Sequence, residues 1–71
     1  MKYYPVDLKP GMCGYPSNNV LDFVISVVST HDDSIYLLTI LEIDIVTGAP
    51  TTFTYSWPAN MAFWTSKTVV L

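Results

Sequence analysis

An all-β fold is predicted by three features of this chain. Two apolar runs, Val20 to Val28 and Ile35 to Val46, flank the short polar tip Ser29–Ser34. Both are rich in Val, Ile, Leu and Phe, residues whose stiff or bulky side chains favour the pleated strand. Farther along, Thr51 to Trp57 alternates strictly, with Phe53, Tyr55 and Trp57 on one face and Thr52, Thr54 and Ser56 on the other. The two runs read as a central hairpin and the alternating segment as the strand that follows it.

Taken in order, Lys2 to Leu8 is a short candidate strand whose Pro5 cannot donate to a ladder, which confines it to an edge or a strand end. Pro10-Gly11 suits the middle of a type II turn, proline presetting φ and glycine accepting φ > 0. Met12 to Asn19 holds Gly14, Pro16, Ser17 and two asparagines and reads as irregular. Val20 to Thr30 is a strand with four valines. In Ile35 to Thr47 the stretch Leu37–Leu41 fits helix or strand. Thr39 and the alternation of Leu41, Ile43 and Ile45 against Glu42 and Asp44 decide for strand. Gly48-Ala49-Pro50 is the expected next loop, with Thr47 opposite Thr51. Pro58-Ala59-Asn60 is a turn, with room for one helical turn near Pro58–Ala62, and Met61 to Leu71 is a final extended segment. Residues 1–71 read as one domain without repeat or linker.

The odd positions Leu21, Phe23, Ile25 and Val27, and then Ile35, Leu37, Leu41, Ile43 and Ile45, are all apolar, whereas the even ones include Asp22, Ser26, Glu42 and Asp44. The odd face is therefore expected to be the core, built from Leu21, Phe23, Ile25, Leu37, Leu41, Ile43 and Phe53. Odd must then pair with odd, which needs an odd number of turn residues or a bulge. A three-residue loop Asp32–Ser34 sets Asp22 opposite Asp44. A five-residue loop from Thr30 sets it opposite Glu42. Either way Asp22, Glu42 and Asp44 share the outer face, as a solvated acidic patch, as half of an inter-subunit salt link to a lysine, or as a cation site of hard oxygen ligands. On that same face Tyr36, Leu38 and Ile40 would form an exposed apolar patch of the kind that marks an oligomer interface.

Composition points the same way. Seventy-one residues lie near the lower limit for a self-sufficient core. Hydrophobic residues make up 51% and charged ones 13%, against roughly 25% charged in an ordinary soluble domain. Such an apolar surplus calls for specific assembly, and a homo-oligomer is expected. A net charge of −3 on three lysines and no arginine disfavours nucleic acid. The apolar runs are too short and too interrupted for a membrane-spanning helix, and Met1 to Val6 lacks the apolar region of a signal peptide. Cys13 is the single cysteine, so no intramolecular disulfide forms and a reducing, cytoplasmic setting fits. His31 with Asp32 and Asp33 would suit acid–base chemistry, but polar residues also gather at hairpin tips by default. With one His, one Cys and three glycines in no phosphate-loop pattern, no enzyme activity, cofactor or metal is expected.

The order of about five short strands, with a Lys9–Met12 turn after the first, a long central hairpin and a Pro58–Asn60 turn before the last, resembles the SH3-like small barrels. Among them it is similar to the Sm-like variety, with Asp32 and Asp33 in the region where that family carries an acidic residue. The resemblance implies a five-stranded, strongly bent antiparallel sheet that closes into a barrel. It further implies a ring built by joining strand edges, with RNA bound by the loops His31–Ser34 and Pro58–Asn60 through His31, Asp32 and Asn60. The lack of arginine favours the other expectation, a structural or interaction module that self-assembles.

Overall fold

A computed structural model describes residues 1–70; Leu71, the end of the expected last segment, lies outside the described residues. Among the described residues seven strands form: β1 (Lys2–Tyr3), β2 (Cys13–Ser17), β3 (Val20–Ser29), β4 (Ile35–Asp44), β5 (Pro50–Pro58), β6 (Trp64–Thr65) and β7 (Val69–Val70). The main sheet has the order β5-β4-β3-β2-β7, and β1 pairs with β6 in a separate two-stranded sheet. Every pairing is antiparallel.

Among the described residues neither sheet closes. β5 and β7 are the two ends of the five-stranded sheet and do not meet. The SH3-like, Sm-like barrel expected from the order of elements is therefore incorrect, and with it the self-assembling barrel and the RNA-binding ring. The segments that would have sealed a barrel are too short. After Tyr3 the chain coils into a 3-10 turn, Pro5–Asp7, capped by the Tyr4 amide donating to Asp7 Oδ2 at 2.9 Å. The last segment is broken into β6 and β7 by a turn in which Thr68 N donates to Thr65 O at 2.9 Å.

The Pro10-Gly11 turn is present, with Gly11 at φ 95° and Met12 N donating to Lys9 O at 3.1 Å. The stretch after it is not irregular but strand β2, whose register shifts between Gly14 and Ser17. Glycine suits position 14, because a Cβ there would stand 3.0 Å from the Thr68 carbonyl oxygen, a contact tighter than side chains normally make. This close approach lets Tyr15 N donate to Thr68 O at 2.8 Å and ties β2 to the β6–β7 turn.

In the central hairpin Asp22 stands opposite Glu42, the register of the five-residue alternative. It is reached differently. Thr30 N donates to Ile35 O at 2.9 Å, leaving a four-residue tip His31–Ser34, and a bulge between Val24 and Ser26 restores the parity. Asp33 takes φ 58° at this tip, and Asp32 Oδ1 accepts from Ser34 N at 3.1 Å, which holds the turn.

The next connection decides the core. Asp44 N donates to Ala49 O at 3.0 Å, so the turn is Ile45–Gly48, with Gly48 at φ 77°, and not Gly48–Pro50. Thr51 consequently faces Glu42, and even positions of β4 meet odd positions of β5: Ile40 with Phe53, Leu38 with Tyr55, Tyr36 with Trp57. The aromatic row thus joins the even face of the hairpin. Leu8, Val24, Leu38, Ile40 and Trp64 are the buried core, with Tyr3, Met12, Val27, Tyr36, Tyr55, Trp57, Phe63 and Val69 packed against it.

The odd-face core is accordingly overturned. Ile25 is 49% exposed and Leu37 41%, while Leu21, Phe23, Leu41 and Ile43 are half-buried on the face opposite the buried core. Leu38 and Ile40 are fully buried, so with Tyr36 they are core residues and cannot serve as the exposed oligomer interface. Truncating Leu38 or Ile40 to alanine should cost about 2–5 kcal/mol in a denaturant melt, whereas Ile25→Ala should stay within about 0.5 kcal/mol. Equal losses at Ile40 and Ile25 would show that this face assignment is wrong.

Candidate functional site: a buried carboxyl and an open strand edge

Two features stand out once the faces are known. The first is Asp22, only 5% exposed, on the core side of β3. Glu42 lies directly across on β4, and on the other flank the facing residue is Gly14, which has no side chain to offer a charge. Asp22 Oδ1 is buried without a hydrogen-bond partner. Removal from water, and then a hydrogen bond to Glu42 and its charge, push the Asp22 carboxyl up to about 7. A carboxyl removed from water beside another acidic residue ionises only at a cost, so Asp22 keeps its proton to an unusually high pH. The Tyr55 hydroxyl on β5 is also pushed up, by burial first and then by Asp22 and Glu42.

Asp44 does not complete a three-carboxylate cluster. Its Oδ1 accepts from Val46 N at 2.9 Å and Thr47 N at 3.2 Å and so serves the turn. Among the described residues no three potential metal ligands come together, and no cavity opens beside the pair. The expected solvated outer patch is thus not found at Asp22, which lies on the buried face of the sheet.

His31, Asp32 and Asn60 are all exposed. Their loops do adjoin, since Ala59 N donates to Ser34 O at 2.9 Å. However, Asp32 spends its Oδ1 on Thr30 Oγ1 at 3.0 Å and Ser34 Oγ at 2.8 Å, and these Ser34 and Thr30 bonds hold its carboxyl below the usual range. Neither loop carries a lysine or arginine, and Asp32 and Asp33 make this end negative. That is the wrong sign for a phosphate backbone. Cys13 is half-buried in β2, opposite Phe23 and Val70, and not in a turn. No helix of the described residues is long and apolar enough to cross a membrane.

The second feature is the free edge of β5. Antiparallel partners alternate between positions that bond each other and positions whose N–H and C=O point away. The bond Asp44 N to Ala49 O at one end, and Ala59 N to Ser34 O at the other, fix the phase: odd positions of β5 bond to β4. Pro50, Thr52, Thr54, Ser56 and Pro58 therefore turn their backbone groups outward. Both prolines sit where the missing N–H would have faced solvent, which is where an edge strand tolerates them. Between them Thr52, Thr54 and Ser56 present free donors and acceptors, and Thr51 to Thr54 are exposed. The strand has no charged residue and its ladder to β4 has no bulge. Sequence reading missed this edge, although the eight-residue spacing of Pro50 and Pro58 around an alternating segment carried the signal.

The carboxyl pair generates a sign for pH. Asp22 holds its proton up to about 7 in the folded chain, but only to the ordinary value of 3.8 once unfolded. Between those values the folded state binds more protons, so this group's contribution to stability falls as pH rises and is lost above about 7. Melts from about pH 5 to about pH 8 should show that decline, and Asp22→Asn should flatten it. An unchanged profile in the variant would remove Asp22 as the cause.

In comparison with known proteins, the chain matches no family model, no curated protein and no solved structure, so the reading of its surfaces rests on their geometry.

Proposed function

We propose that this domain is a non-catalytic interaction module that takes up an extended polypeptide segment along the free edge of β5. One observation carries the reading: Thr52, Thr54 and Ser56 aim unpaired backbone groups outward from a nine-residue, uncharged, unbulged edge strand. Natural sheets blunt such edges with charge, bulges or covering elements. This edge has only its terminal prolines, which limit its length without closing it. An added strand would place alternate side chains beside the exposed Phe53 and the half-buried Tyr55, and would gain ladder bonds from the backbone. The lone thiol of Cys13 suits a reducing, cytoplasmic setting for such a module.

Panning a displayed library of short random peptides should enrich alternating apolar sequences. Their addition should slow amide exchange at Thr52, Thr54 and Ser56. Thr54→Pro removes the central outward donor while leaving the bonds to β4, and should abolish binding by a domain that still melts cooperatively. Enriched peptides that bind Thr54→Pro unchanged would overturn the reading.

A further inference from the structure

We infer that the strand taken up at this edge is β5 of a second copy, paired antiparallel about a two-fold axis at Thr54; the inference rests on the strand-pairing reading above. Pro50 and Pro58 lie equally far from Thr54 on either side. Full overlap of two β5 strands then sets Thr54 opposite Thr54, Thr52 opposite Ser56 and each Pro50 opposite a Pro58. All three outward N–H groups of each copy meet an outward carbonyl. The prolines face one another, where neither has a donor to lose. A closed two-fold contact of this kind uses the same patch on both copies and cannot propagate into a fibre through that patch.

Side chains agree with the backbone. Residues opposite each other in an antiparallel pair share a face. Phe53 of one copy would stand beside Tyr55 of the other, on the same side as both cores. Phe53 is 36% exposed in the single chain and stacks on Tyr55 at a centroid distance of 6.0 Å, so the row continues across the axis without a break. On the other side Thr52, Thr54 and Ser56 meet their counterparts as small hydroxyl residues. Although each copy carries a net charge of −3, β5 has no charged residue, so the joint brings no like charges together. At the opposite edge of the sheet, β7 spans Val69–Val70 among the described residues.

Sedimentation equilibrium of the full chain should give twice the 8.0 kDa mass, with slow amide exchange at Thr52, Thr54 and Ser56. Thr54→Pro should weaken association about tenfold or more. Thr52→Lys with Ser56→Lys, both on exposed positions, should also yield monomers by opposing like charges. Thr52→Lys with Ser56→Glu should keep the dimer, because each pair then joins opposite charges. A monomer with fast exchange at these amides that still binds library peptides would overturn the second copy as partner and leave the strand-pairing reading standing. A monomer that binds none would overturn both. A dimer that survives the double lysine variant would overturn the proposal in favour of another surface, such as the half-exposed face of Leu21, Phe23, Leu41 and Ile43.

Discussion

The Asp44 carboxylate accepts the Val46 and Thr47 amides, and Asp44 N in turn bonds Ala49 O, so the chain returns after four residues, Ile45 to Gly48. Gly48, at φ 77°, supplies the left-handed step that this return needs. Everything on the far side of the turn inherits its parity from this count. With the observed register, Phe53, Tyr55 and Trp57 lie beside Ile40, Leu38 and Tyr36, and one face of the sheet collects the aromatic mass. The loops then fold over that face. Phe63 meets Trp57 edge-on at 4.9 Å and Trp64 seals the middle. One residue more or less in the turn would send the aromatic row to the other side.

This choice of face has a cost, which falls on Asp22. Burying Val24, Leu38 and Ile40 stabilises the fold by roughly 1.5–3 kcal/mol each, and the half-buried aromatics add to it. A neutral carboxyl lacking one hydrogen bond costs about 1–3 kcal/mol by mutational measures. An ionised one would cost far more, so the carboxyl keeps its proton instead. Apolar burial wins, and Asp22 goes inside with Glu42 directly across from it. The same preference leaves Leu21, Phe23, Leu41 and Ile43 only half-covered on the opposite face.

Because the flanking segments coil or break instead of extending, nothing reaches across from β7 to β5. The sheet ends in a strand whose backbone is unsatisfied on one side and whose prolines mark the limits of the open stretch. The chemistry available there is that of the peptide bond, which explains why no constellation of side chains announces it. The aromatic row behind the edge supplies apolar contact, and the edge supplies direction and register.

Strands β3, β4 and β5 were legible in the sequence, because β-branched runs and the Phe53-Tyr55-Trp57 alternation are local signals. The Pro10-Gly11 turn was legible for the same reason. β2 was hidden, since Gly14 and Pro16 read as punctuation while the close approach of Thr68 to Gly14 appears only in three dimensions. The neighbourhood of Asp22 and Glu42 followed from register, but the burial of Asp22 did not, and the free edge was not visible as a site at all. Facing and closure depend on contacts between segments distant in sequence. A turn count set by Asp44 and Gly48 fixed the parity, and the coiling of residues after Tyr3 kept the sheet open. The sequence by itself determined where the three long strands, β3, β4 and β5, extend. Only the tertiary structure decided which side of each strand is dry and which edge is free, because those outcomes follow from the summed burial of side chains that local pattern cannot bring together.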